Sequence, residues 1–140
     1  MTMRLRFLLS ALVVVALPAQ ADTLSYGCGG GFTGGASGAV IHDDGRMTRW
    51  TTERAGSPRV EHDLDRNRGG AIQLFKLLRE VKFTDLDFQS PPFNVWCSLT
   101  LAAEDGSTHT VSWGNARVPP PPSIESIVEE VRRLVEDPAA

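Results

Sequence analysis

The first twenty-one residues set the conditions under which all the rest must fold. Arg4 and Arg6 precede an apolar run over residues 7–17, and Pro18-Ala19-Gln20-Ala21 follows. A basic start, an apolar stretch too short for a bilayer span, and small side chains at Ala19 and Ala21 form a secretory signal peptide. The order predicts removal of residues 1–21 and a mature chain beginning at Asp22. It places the protein in the periplasm or outside the cell. Residues 22–140 remain, roughly 120, a length that suits one domain around one core. No second apolar run is long enough to span a membrane, so no span is expected once the leader is gone.

In an oxidising compartment, the cysteine count becomes a fold constraint. There are two, Cys28 and Cys97. An isolated pair in an exported chain most simply forms a disulfide. Closing so long a loop would restrict the unfolded chain by roughly 4 kcal/mol in the loop-entropy model. Two other readings stand beside it. Cys28 as a lipidated first residue is opposed by Ser25 and Tyr26, which sit where a lipoprotein signal prefers Leu and a small residue. A catalytic thiol would need a marked neighbourhood, and none is visible.

The leader holds two of the fourteen basic residues and none of the seventeen acidic ones, so the mature chain is more acidic than the whole chain's −3. Phosphate binding needs a basic face, so nucleic acid is excluded as a partner class.

Residues 24–28 read as a first strand running into the glycine-rich loop 29–35. Residues 37–41 and 46–52 read as a hairpin around Asp44-Gly45. Residues 53–68 are polar, contain Gly56-Ser57-Pro58, and read as a loop. Ala71, Leu74, Phe75, Leu78 and Val81 recur at helical spacing, which predicts a helix over 71–81. Residues 93–103 form the clearest strand, with Phe93, Val95, Cys97, Leu99 and Leu101 on one face and Asn94, Ser98 and Thr100 on the other. Glu104-Asp105-Gly106-Ser107 turns the chain into a strand over 108–113. Pro119 to Pro122 form a rigid spacer. Ser123 reads as an N-cap, and Ile124, Ile127, Val128, Val131, Leu134 and Val135 make one apolar stripe, so a second helix is expected before Asp137-Pro138. The order is βββαββα, which predicts an α+β fold: an antiparallel sheet of about five strands with two helices on one face.

Each candidate site has an ordinary counterpart. Gly29-Gly30-Gly31-Phe32-Thr33-Gly34 fits G-x-G-x-x-G formally, but a phosphate site needs a helix N-terminus where a strand follows here. Phe32 at the loop tip either contacts a partner or folds onto the core. Trp96 either faces a partner across an open sheet or packs beneath a loop. His42, His62 and His109 lack metal-ligand spacing, and His42 belongs to turn chemistry. Asp85 and Asp87 read as solvated. No nucleophile motif marks a catalytic site, so the residues do not argue for an enzyme. No cofactor is expected.

A first strand running into Gly30-Gly31-Phe32-Thr33-Gly34, the next strand, a leucine-bearing helix before Phe83, the strand around 95–101, the turn Asp105-Gly106, the strand at His109-Thr110-Val111 and a closing amphipathic helix together resemble the emfourin family, small bacterial inhibitors of thermolysin-like metalloproteases. The resemblance spans most of the mature chain, and the glycine-phenylalanine-glycine loop is its distinctive piece. It implies a protein-binding module with a secreted metalloprotease as partner, and Gly30, Gly31, Phe32, Thr33 and Gly34 as binding residues. The leader and the cysteine pair are additions to that pattern. The expectation is a monomeric, non-enzymatic inhibitor. The alternatives are an envelope-associated structural protein and a small hydrolase in which two carboxylates converge in a cleft.

Overall fold

Alternation of apolar and polar residues in the strands, set against two amphipathic helices, resolves into a single layer of helices on a single sheet. A computed structural model describes residues 21–91, 93–114 and 117–136. All of the expected signal peptide but Ala21, and the Asp137-Pro138 helix stop, lie outside these residues. The elements are β1 Thr23–Gly30, β2 Ala36–His42, β3 Met47–Thr52, β4 Val60–Leu64, α1 Arg68–Glu80, a 3-10 turn Phe83–Asp85, β5 Val95–Ala102, β6 Thr108–Trp113 and α2 Pro122–Glu136. The strands form one sheet in the order β4-β3-β2-β1-β5-β6, and every neighbouring pair is antiparallel.

The class is α+β, but the sheet has six strands and the order is ββββαββα. The strand missed by pattern is β4, inside the region read as a loop. Its residues Val60-Glu-His-Asp-Leu64 show no apolar alternation because almost all of them are exposed. β4 forms through its ladder to β3 and through cross-strand contacts. Thr48 Oγ1 donates to Asp63 Oδ1 at 3.0 Å, and the Arg59 guanidinium lies 4.3 Å from the centre of the Trp50 ring. Charged side chains on an edge strand also discourage pairing with another chain.

The core lies between the helices and one sheet face. Leu24, Ala39, Ile41, Met47, Leu99 and Val111 from the strands meet Leu74, Phe75, Leu78, Ile124, Ile127, Val131 and Leu134 from the helices, all buried. The α2 stripe read from periodicity is buried at all six positions. The helix starts one residue earlier than Ser123. The Pro121 carbonyl accepts from the amides of Ile124 and Glu125, and Pro122 occupies the first helical position, where its missing N–H costs nothing. α1 likewise starts early, at Arg68, and takes in Gly69 and Gly70. Asn67 overrides their weak propensity by accepting from the Gly70 amide at 2.8 Å.

Cys28 and Cys97 face each other directly across β1 and β5 and form a disulfide. Both are half-buried, on the helix-covered side of the sheet.

Candidate functional site

The two ends of the sheet are built from different chemistry. Where β2 turns into β3 and β5 into β6, the turns are polar and carry Asp44 and Asp105. The opposite end collects exposed apolar side chains. Among the described residues seven large hydrophobics are exposed, and five of them sit at this second end: Phe32, Val60, Phe93, Val95 and Trp96. The five share one end of the sheet but not one face: Val95 and Trp96, consecutive in β5, point to opposite sides.

The loop between β1 and β2 forms the tip of this end. Gly29 and Gly30, expected in the loop, are strand residues: Gly29 pairs with Ala36 and Trp96, and Gly30 pairs with Val95. The loop is therefore shorter than 29–35 and contains residues 31–35. Gly30 has φ +106°, and a Cβ there would collide with the Asn94 carbonyl oxygen, so the position requires glycine. Backbone hydrogen bonds tie the loop down on both flanks. The Gly31 amide donates to Asn94 O at 2.7 Å, and the Ala55 amide donates to Thr33 O at 3.1 Å. Within the loop, the Gly34 amide reaches Gly31 O, and the Gly35 amide donates to Thr33 Oγ1 at 3.3 Å.

Phe32 stands at the apex of this tethered loop. Its relative exposure is 107%, so the ring touches almost nothing of its own chain. The reading in which Phe32 folds onto the core is thereby overturned. The cause is geometric: the hairpin carries the loop past the last covered row of the sheet, where no helix residue stands to receive the ring.

The same overhang corrects two residues of β5. Phe93 and Val95 were expected on the core face with Leu99 and Leu101. They are instead 63% and 52% exposed, and Phe93 precedes the strand. Alternation holds along β5, but the helices cover it only from about Cys97 onward. Val95 is also opposite Gly30, which has no side chain to pack on it. A one-dimensional pattern gives the face of a residue and says nothing of whether the covering layer extends that far. The run of glycines in the paired strand is the signal that could have located this uncovered end.

Trp96 lies on the open face of the sheet, 43% exposed, and not beneath a loop. Its ring crosses Gly29, while Trp50 reaches from the other side across Gly38 and Gly27, positions where a Cβ would run into the indoles. The glycines leave a flat floor on which both rings rest. Arg59 covers the outer face of Trp50 and pairs with Glu61 at 3.2 Å.

The remaining candidates are dispersed. His42 Nδ1 is 3.2 Å from Thr23 Oγ1, His62 is exposed on β4, and His109 Nε2 is 2.7 Å from Leu86 O with its ring edge-on to Phe83. Among the described residues no group of three or more His, Cys, Asp or Glu side chains is placed to hold a metal. Asp85 and Asp87 are exposed. Asp85 shares a recess of about 410 Å³ with Asp22, Arg79 and Lys82, but Asp22 already accepts from the Glu104 amide, and no hydrogen bond joins the two carboxylates. Among the described residues, no helix is long and apolar enough to cross a membrane.

Comparison with protein-family models and with curated protein sequences finds no match for this chain.

Proposed function

We propose that the protein is an exported protein-binding module that inhibits a secreted thermolysin-like metalloprotease through the sheet end bearing Phe32. The observation that carries this reading is a fully exposed phenylalanine on a loop whose backbone is hydrogen-bonded on both flanks. An apolar ring held in water is costly unless something covers it, and a tethered loop loses little conformational freedom on binding. Interfaces concentrate affinity in a few aromatic anchors surrounded by near-neutral contacts, and Phe93, Val95 and Trp96 supply such surroundings. The resemblance to the emfourin family supplies the class of target, with Gly30 to Gly34 shaping the contact and Phe32 carrying it. The Cys28–Cys97 disulfide supports a periplasmic or secreted location. In this reading the protein is a monomer, has no catalytic activity of its own and needs no cofactor.

The test is inhibition of a panel of thermolysin-like proteases by the purified mature protein. Phe32→Ala should weaken inhibition at least tenfold while leaving the melting temperature unchanged, since the ring has no intramolecular contacts to lose. No inhibition across the panel at micromolar excess removes the protease target. Co-purification with envelope fractions together with an inert Phe32 would favour the structural role instead.

A further inference from the structure

Between the first turns of α2 and the sheet lies a recess of about 450 Å³, and Tyr26, Cys97, Trp113, Ile124 and Arg132 are among its lining residues. Cys97 takes part in that lining and Cys28 does not. We propose that the Cys28–Cys97 bond is a directional thiol-exchange site, in which a dithiol reductant enters this recess, attacks the Cys97 sulfur and expels Cys28.

The direction follows from what surrounds each sulfur. Tyr26 is two residues from Cys28 on the same strand, so strand periodicity puts both side chains on one face. The Tyr26 hydroxyl lies 3.2 Å from Cys28 Sγ. A disulfide sulfur carries no proton, so the hydroxyl is the donor. Arg132 Nη2 in turn donates to the Tyr26 oxygen at 3.2 Å. A hydroxyl that accepts from a guanidinium is a stronger donor to its own acceptor. Among the described residues Cys97 has no corresponding hydrogen bond. The rate of exchange depends on which sulfur is attacked, on access, and on how well the leaving sulfur bears negative charge. The recess that Cys97 lines offers the approach, and the Arg132–Tyr26 relay favours departure of Cys28.

In the first step a thiolate of the reductant bonds to Cys97 Sγ, the protein S–S bond breaks, and its electron pair passes to Cys28, which leaves as a thiolate held by the Tyr26 hydroxyl. In the second step the reductant's other thiol, losing its proton, attacks its own sulfur in the mixed disulfide and closes an internal disulfide. Cys97 is released as the second thiolate. The dithiol loses two electrons, the protein gains them, and the two protons given up by the dithiol suffice for Cys28 and Cys97. The reduced cysteines stay opposite one another, because eight residue pairs still hold β1 to β5. The site can therefore close again under an oxidant.

The experiment uses the folded mature protein. A limiting monothiol, glutathione, is allowed to react, the mixture is quenched by acid, and the adduct is mapped by mass spectrometry. The adduct should sit on Cys97. Reduction by dithiothreitol should slow about tenfold in Tyr26→Phe, the expected worth of one hydrogen bond to a developing charge, and by less in Arg132→Gln. A parallel reaction with a reduced thioredoxin-type protein distinguishes a recess open to a small dithiol from one that also serves a reductase. An adduct on Cys28, or an even split, overturns the proposal, and so does reduction by neither reagent. The mapping needs no variant, and Arg132 is exposed on α2, so a destabilised Tyr26→Phe leaves both readings intact.

Discussion

The two ends of the sheet solve the same problem with different groups. Each must reverse strands and satisfy the turn's backbone polar groups. At the polar end the turns use their own carboxylates and also reach outside: the Asp43 amide donates to Asp22 O, the Asn67 amide to Gly45 O, Arg66 Nε to Asp44 O and the Glu104 amide to Asp22 Oδ1. Asp44 accepts from the Arg46 amide and from Arg46 Nε, Asp105 accepts from the Ser107 amide, and the Ala103 amide closes on Ser107 O. At the apolar end the loop has no carboxylate; it combines internal bonds, from the Gly34 amide to Gly31 O and from the Gly35 amide to Thr33 Oγ1, with bonds to Asn94 and Ala55. A turn held by its surroundings is fixed in space, and its one large side chain is left free to be presented. Both ends are tied to neighbouring segments, but only the apolar end carries a large side chain that its own chain leaves uncovered.

The strongest way to probe this contrast is to damage what both ends hang from. Val131 is fully buried at the centre of α2, and Glu129 is exposed two residues away. Val131→Asp should cost several kcal/mol, or prevent folding, because the carboxylate has no partner in the core. Glu129→Ala should stay within about 0.5 kcal/mol. Thermal melts of the two variants decide it. Equal stability would mean that α2 is not docked on the sheet, and then neither end would be placed as described.

The next effect separates the ends directly. Gly30 and Gly106 both have positive φ, +106° and +86°. A Cβ on Gly30 would enter the Asn94 carbonyl, whereas one on Gly106 meets nothing within 4 Å. Gly106→Ala should therefore cost only the left-handed strain of an L-residue, about 1–2 kcal/mol. Gly30→Ala carries that strain and a backbone clash, and should cost distinctly more. It should also release the Gly31–Asn94 hydrogen bond and loosen the Phe32 loop. Denaturant melts of both variants check this, and an equal cost would show that Asn94 yields freely and that the loop is less firmly held than its hydrogen bonds imply.

These residues also show where the sequence is legible. The buried face of α2 could be read in full, because its six apolar positions repeat at helical spacing and all are buried, although the helix begins at Pro122 and not after Ser123. The pairing of Cys28 with Cys97 was legible from their number alone. β4 was not, since an exposed edge strand is held by ladder bonds and by contacts such as Arg59 on Trp50, and leaves no hydrophobic period. Phe93 and Val95 misled for the converse reason. Their alternation is real, but burial depends on a helix layer that stops short of them. In the site, the loop and Phe32 were legible as candidates from composition. The ring's outward position was not, because it depends on the hairpin overhanging the core and on tethers to Asn94 and Ala55, both distant in sequence.

The smallest predicted effect is also the most local. The Arg46 backbone amide, aided by its side chain and by Arg66, holds the Asp44 carboxyl below its usual 3.8. The Ser107 side chain, then its amide, does the same for Asp105. A carboxyl whose folded-state pKa is depressed stabilises the fold fully above its unfolded value. That contribution is lost as pH falls through the lower, folded-state value. Asp105 is exposed, Asp44 is partly exposed, and both are screened by solvent, so global stability should change little above pH 4. The local response should nonetheless be clear. In an acid titration followed by NMR, the amide signals of Arg46 and Ser107 should move with midpoints below 3.8, while those of Gly31 and Ala55, bound to uncharged carbonyls, should stay flat. Asp44→Asn should abolish the Arg46 response and leave the Ser107 response in place. If Gly31 titrated together with Arg46, the two ends would be coupled through the sheet, and the apolar end could not be treated as independent of the polar end.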